Sequence, residues 1–199
     1  MREVVEQSNR TVSPALLSAT TVTLQRLGPR QFSLTAVAEA AGVSRGTVYN
    51  ALGNRDAAIK TALDYAASAF IDMMAAEVRR HEALADQVAA AAVLICAHRQ
   101  RSGEIAPGGI NESLLLLLLR NSGDDLMKRS IALWEPLVRA AQQRGDVRDG
   151  VEPAGAGEWI VRMLLSFELL PPMRVNLDNP RAVRRFVSEY IVAGLADSP

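Results

Sequence analysis

Apolar positions recur along this chain three or four residues apart, and no stretch alternates apolar with polar as a half-buried strand requires. Leu17, Thr21, Leu24 and Leu27 mark the first helical face. Caps and breakers divide the pattern. Ser13 before Pro14 predicts a helix start, because a serine hydroxyl accepts from a free N-terminal amide and proline has no amide to leave unpaired. Gly28 and Pro29 stop that helix. Ser33 caps a short one over 34–41 that ends at Gly42. Ser44 caps another over 45–52 that ends at Gly53, and Asn54 caps a fourth that meets no breaker until about Arg80. Further helices are predicted over about 83–101, 110–120, 123–144, 154–170 and 180–195. Gly103–Gly109 (with Pro107), Asn121–Gly123, Gly145–Pro153 and Pro171–Pro180 separate them. The expectation is an all-α protein of about nine helices, three small ones first. A domain boundary inside the fourth gives regions 10–58 and 59–199.

Composition supports a folded, helical chain. Of 199 residues 31 are alanine, the best helix former, and 49% are apolar, enough for a substantial core. Cys96 is the single cysteine and His81 and His98 are the two histidines, which leaves no disulfide framework and little from which to build a metal site. The longest apolar runs, Val88–Ala97 and Leu114–Leu119, fall short of the ~18 residues that span a bilayer. The opening MREVVEQSNR carries Glu3 and Glu6 and does not read as a signal peptide, so the cytoplasm is the expected compartment. Lys+Arg and Asp+Glu are 22 each, for zero net charge, but residues 1–60 hold seven basic against four acidic side chains, a surplus of +3. That surplus is too small to argue nucleic-acid binding by itself.

The informative segment is Leu34–Leu52. Two short helices meet at Gly42-Val43-Ser44. Gly42 suits the left-handed conformation that ends a helix, Ser44 restarts the chain, and Val43 is expected to plug the gap between the helices. Val37, Ala38, Ala41, Val48 and Leu52 supply the apolar face that holds them together. This is a helix-turn-helix, whose second helix enters the major groove of DNA. Its exposed face would present Ser44, Arg45, Thr47 and Asn50. Arg45 can pair with guanine or a phosphate, and Thr47 with base edges or a thymine methyl. Gly46 removes a side chain where the helix lies against DNA, and Tyr49 can offer its hydroxyl to a phosphate. The helix N-termini at Leu34–Thr35 and at Arg55 can donate backbone amides to phosphates, with Arg55 adding a charge. An ordinary helical corner, by contrast, does not require Arg-Gly-Thr-x-Tyr on its exposed side.

From Pro14 to about Ala66 the chain resembles the tetracycline-repressor (TetR) family of transcriptional regulators. The residues carrying the likeness are Phe32-Ser-Leu-Thr with Val37-Ala38, then Ala41-Gly-Val-Ser-Arg-Gly-Thr-Val-Tyr49, then Asn54-Arg-Asp-Ala-Ala-Ile59. Two positions depart from the family pattern. Leu52 stands where an aromatic is usual, and Arg55 where lysine is usual. The resemblance implies that residues from about 60 onward form a ligand-binding and dimerisation domain. The stretches Trp134–Arg148 and Ala156–Phe167 look like C-terminal halves of some members.

In such a domain the last two long helices pair with their copies in a partner. Here that implies an interface of Trp159, Ile160, Met163, Leu164, Phe167, Phe186 and Tyr190, with intramolecular core as the competing use of the same residues. The effector would lie among the middle helices. Phe70, Met74, Leu94, His98, Leu116, Leu117, Trp134, Leu137 and Leu165 are candidate lining positions, though each is more readily read as plain core. His98, beside Arg99 and Arg101, is placed to meet the last carbonyls of its helix, with a ligand contact as the alternative. Glu168 and Arg162 interrupt an apolar helix; an edge position or pairing across the dimer is the expected reading, with a functional role as the alternative. The implied function is a dimeric repressor, without cofactor or metal, that leaves a pseudo-palindromic operator on double-stranded DNA when a small apolar or amphipathic effector binds. The rivals are an all-α enzyme or a small-molecule-binding module without a DNA role. Against an enzyme, there is no metal-ligand cluster and no glycine-rich phosphate loop, and Cys96 and His98 sit two residues apart, on different helix faces. The apolar neighbours Val93, Leu94, Ile95 and Ala97 argue that Cys96 is an inert buried thiol rather than a redox sensor.

Overall fold

The computed structural model describes residues 12–104 and 114–196; the side chains of 102–104 are not included. Within them the chain is helical: α1 (Pro14–Gln31), α2 (Leu34–Ala41), α3 (Arg45–Leu52), α4 (Arg55–Val78), α5 (Leu84–Glu104), α6 (Leu114–Arg144), α7 (Pro153–Leu169) and α8 (Pro180–Phe186). A π-helical turn over Val187–Val192 continues α8. Two of these elements contain breaks that the sequence anticipates. Gly28 inside α1 is non-helical, with φ 67° and ψ 169°. Ser122 inside α6, at φ −147° and ψ 32°, separates the segments expected at 110–120 and 123–144. The opening residues 1–11, the expected separator over 105–109 and the helix start at 110–113 lie outside the described residues.

The predicted caps form. Ser13, Ser33 and Ser44 each accept from an amide three residues on, at Leu16, Ala36 and Thr47. The Asn54 side chain does the same for Ala57, at 2.9 Å. Glu152 caps α7, accepting from the amides of Ala154 and Gly155, and these bonds hold its carboxyl below the usual range.

The chain divides into two compact units. The first runs to Ala67 and takes in the segment of α6 that ends at Asn121; the second comprises Ser68 onward without that segment. In the first, α1 packs on α2 and α2 on α3. Leu16, Leu24, Phe32, Leu34, Val37, Val48, Leu52 and Leu63 are buried there. Thr20, Thr21 and Thr23 lie buried on α1 because each hydroxyl donates to the carbonyl four residues back. Thr21 also reaches the carbonyl of Ala62 at 3.3 Å, tying α1 to α4.

In the second unit α5 packs against α7, α8 and the π turn. Its core gathers Val78, Leu84, Val88, Trp134, Val138, Ile160, Leu164, Phe167, Val183 and Val187. Gly157 allows α7 to approach α6 closely. A Cβ there would stand 3.4 Å from the Cβ of Trp134 and 3.5 Å from the carbonyl oxygen of Ile131.

Candidate functional site

The turn between α2 and α3 is built as its residue types dictate. Gly42 takes φ 65° and ψ 31°, and its amide donates to the carbonyls of Ala38 and Glu39. The Val43 amide donates to Ala38 at 3.1 Å, which closes the left-handed cap. Val37, Ala38, Val48 and Leu52 are buried, and Leu52 fills its place without an aromatic ring. Val43 is a correction. It is 40% exposed instead of plugged between the helices, because the backbone bonds from Gly42 and Val43 to Ala38 already close the corner.

One face of α3 remains open. Arg45, Gly46, Thr47, Tyr49 and Asn50 are all exposed, Tyr49 by 55%. The Ser44 and Thr47 hydroxyls are 2.9 Å apart, which orients the threonine at the helix start. A Cβ at Gly46 would meet nothing closer than Ser44 Oγ at 3.7 Å, so no internal contact requires glycine there. At the start of α2, the Leu34 side chain is buried and Thr35 is half-buried. Arg55 has a use the sequence did not reveal. Its Nε donates to the carbonyl of Phe32 at 3.1 Å and its Nη2 to that of Pro29, clamping the connection between α1 and α2. Its Nη1 lies 3.4 Å from Asp56.

The candidate effector residues scatter. Leu116, which is exposed, and Leu117, which is buried, belong to the first unit. Trp134 is fully buried and Met74 nearly so, which places both in the core of the second. Phe70, Leu94, Leu137 and Leu165 are only partly buried against that core. His98 meets Phe70 edge to face, with ring centroids 5.2 Å apart, instead of turning to the carbonyls of its helix end. Glu168 lies at the end of α7, where the charges of His98 and Arg99 act on it. Burial pushes its carboxyl above the ordinary 4.5 and outweighs those two. Its Oε2 is buried with no hydrogen-bond partner among the described residues. Cys96 is buried too, and desolvation raises its thiol from 9.0 to about 11, so it stays protonated and unreactive.

No protein-family model and no curated protein matches this sequence. Solved structures do match. The FadR transcriptional regulator of Bacillus subtilis, in complex with stearoyl-CoA, superposes with a TM-score of 0.63 at 16% identity, over 88% of this chain and 97% of that one. A TetR-family regulator from Cytophaga hutchinsonii gives 0.65 at 16%, over 93% and 94%. AibR, in complex with isovaleryl coenzyme A and operator DNA, gives 0.59 at 15%, over 89% and 97%. The chain has the TetR-family fold.

The residues expected at a dimer interface separate into two sets. Ile160, Leu164 and Phe167 point into their own subunit and are buried there, which corrects their assignment to an interface. Trp159 and Tyr190 stay 41% and 67% exposed, and Met163 and Phe186 are half-buried. The indole of Trp159 donates to the carbonyl of Ile191 at 3.2 Å. Phe186 links inside to outside. Its ring lies 6.0 Å from that of Phe167 and 5.1 Å from that of Tyr190. This aromatic row depends on the turn of the chain after α7, and nothing in the local spacing announces it. Among the described residues no group of acidic, histidine or cysteine side chains could hold a metal, and no helix is long and apolar enough to cross a membrane.

Proposed function

We propose that this protein is a dimeric, ligand-responsive transcriptional regulator of the TetR type, a repressor that binds a pseudo-palindromic operator and leaves it when a small effector binds. The observation that carries this reading is the open face of α3. Arg45, Thr47, Tyr49 and Asn50 project from a helix whose other side is locked by Val48 and Leu52, and Gly46 serves no internal contact. A fold with no DNA to read has no use for that combination. Arg45 and Thr47 read base edges, Tyr49 and Asn50 meet backbone or bases, and the amides at the starts of α2 and α4 hold phosphates. Arg55 serves chiefly by fixing the connection on which α2 rests, so its contribution to DNA binding is indirect.

Trp159, Met163, Phe186 and Tyr190 form the dimer contact, which sets two α3 helices about one turn of DNA apart. The effector binds in the second unit along Phe70, Leu94, His98 and Leu165. Helix α4 belongs to both units, Arg55–Ala67 to the first and Ser68–Val78 to the second, which makes it the element that carries the response. The acyl-CoA complexes of FadR and AibR, and the operator DNA bound to AibR, support a regulator that answers to a small molecule. The effector must prefer the state that does not fit the operator, because equal affinity for both states moves nothing.

The test is binding of the purified protein to the intergenic DNA beside its own gene, titrated with salt and challenged with an unrelated duplex. Binding that resists the competitor is expected. Binding no tighter than to the unrelated duplex, persisting after denaturation and refolding to strip a copurified ligand and across a genome-wide fragment pool, contradicts the reading.

A further inference from the structure

On α7, Glu168 stands three, four and seven residues after Leu165, Leu164 and Val161. It therefore continues the stripe that α7 turns towards α5, at a place where an apolar residue would pack without cost. A carboxyl there loses water, and one of its oxygens has no donor among the described residues. His98 lies near enough for its charge to act on Glu168, and its ring meets Phe70 at 5.2 Å; Phe70, Leu94 and Leu165 are only partly buried against the same core. An acceptor without a donor near partly exposed apolar side chains describes a ligand with complementary parts.

We propose that Glu168 is the polar anchor of the effector site, and that the effector is an apolar molecule bearing a protonated amine whose N–H satisfies Glu168 Oε2. The aliphatic or aromatic body lies along Phe70, Leu94 and Leu165, and the ammonium group meets the carboxylate and the face of Phe70. His98 and Arg99 already act on the Glu168 charge, but neither gives Oε2 a hydrogen bond, and an anionic head group brings no N–H to supply one. The inference rests on the effector role assigned to the second unit and is independent of DNA binding.

The experiment uses the full chain and a panel of matched skeletons. Primary alkylamines and phenylalkylamines of six to twelve carbons (all below their micelle concentrations) are compared with the alcohols and carboxylates of the same bodies. Binding is read by calorimetry and by the shift in Tm. The expected order is amine, then alcohol, then carboxylate. Glu168→Gln should weaken the best amine at least tenfold while changing the alcohol less than threefold. Glu168→Leu, without ligand, should raise Tm, because a structural carboxyl would be missed and an unsatisfied one is not. Tightest binding by carboxylates, amine binding indifferent to Glu168→Gln, no binding anywhere in the panel, or a lowered Tm in Glu168→Leu would each overturn the proposal. Amine binding that depends on Glu168 in a protein that ignores operator DNA would leave it standing and remove the regulator reading. Operator binding without amine binding would do the reverse.

Discussion

Val48 and Tyr49 are neighbours in the chain and opposites in the structure: one is completely buried and the other more than half exposed. Along α3 the residues that hold the fold and those that could meet DNA simply alternate around one short helix. In the second unit the division is different. Leu164, Leu165 and Glu168 share one stripe of α7, yet Leu164 is core, Leu165 is half-covered and Glu168 hides an unsatisfied oxygen. The first unit keeps its candidate site on an open face over a separate frame, so each can be altered alone. The second builds its candidate site from the margin of its own core, so packing and recognition are coupled.

The largest effect should come from striking the second unit where it is only frame. Trp134→Ala empties the centre of that core and should cost about 3–5 kcal/mol in urea unfolding. In the first unit Arg45→Ala should do the converse. Stability should stay within about 0.5 kcal/mol, as for an exposed side chain without partners, while operator affinity falls by about 1–3 kcal/mol in a mobility-shift titration. Gly46→Ala sharpens the contrast further. Because a Cβ fits there, folding should gain up to about 1 kcal/mol from helix propensity while DNA affinity drops. A variant that lost both, or neither, would show that frame and reading face are not separate.

The smallest effect concerns pH. Burial raises the Glu168 carboxyl in the folded state above the ordinary 4.5, so the folded chain holds this proton more tightly than the unfolded one. The resulting stability is fully present below the ordinary value and is lost as pH rises through the raised one. Wild type should therefore lose stability relative to Glu168→Gln as pH rises from the ordinary 4.5 through the raised value, read from paired denaturation curves. Parallel curves would mean that the carboxyl is solvated in the folded protein.

The sequence discloses what is local. Ser13, Ser33, Ser44 and Asn54 act within three residues of themselves, and Gly42 acts through its own backbone, so helix starts and the reading turn could be placed by inspection. Spacing alone identified the apolar face of α7 but not its angular divisions, so Ile160, Leu164 and Phe167 looked as available to a partner as Trp159. The clamp made by Arg55 escapes local sequence reading for a related reason. Its carbonyl partners lie at Pro29 and Phe32, far back in the chain, and an arginine at a helix start looks like a phosphate ligand until they are seen. Val43 failed in the opposite direction: an apolar residue in a tight turn is not obliged to be inside.

The central claim is that α3 reads a DNA sequence through its open face. Selection from a random duplex pool by the wild-type chain, run in parallel with Arg45→Ala, tests it most directly. The account predicts that wild type enriches a pseudo-palindrome with half-sites about one helical turn apart, and that Arg45→Ala loses the preference at matching positions in both halves. Enrichment of no sequence by wild type, or of the same motif at the same strength by Arg45→Ala, would contradict it.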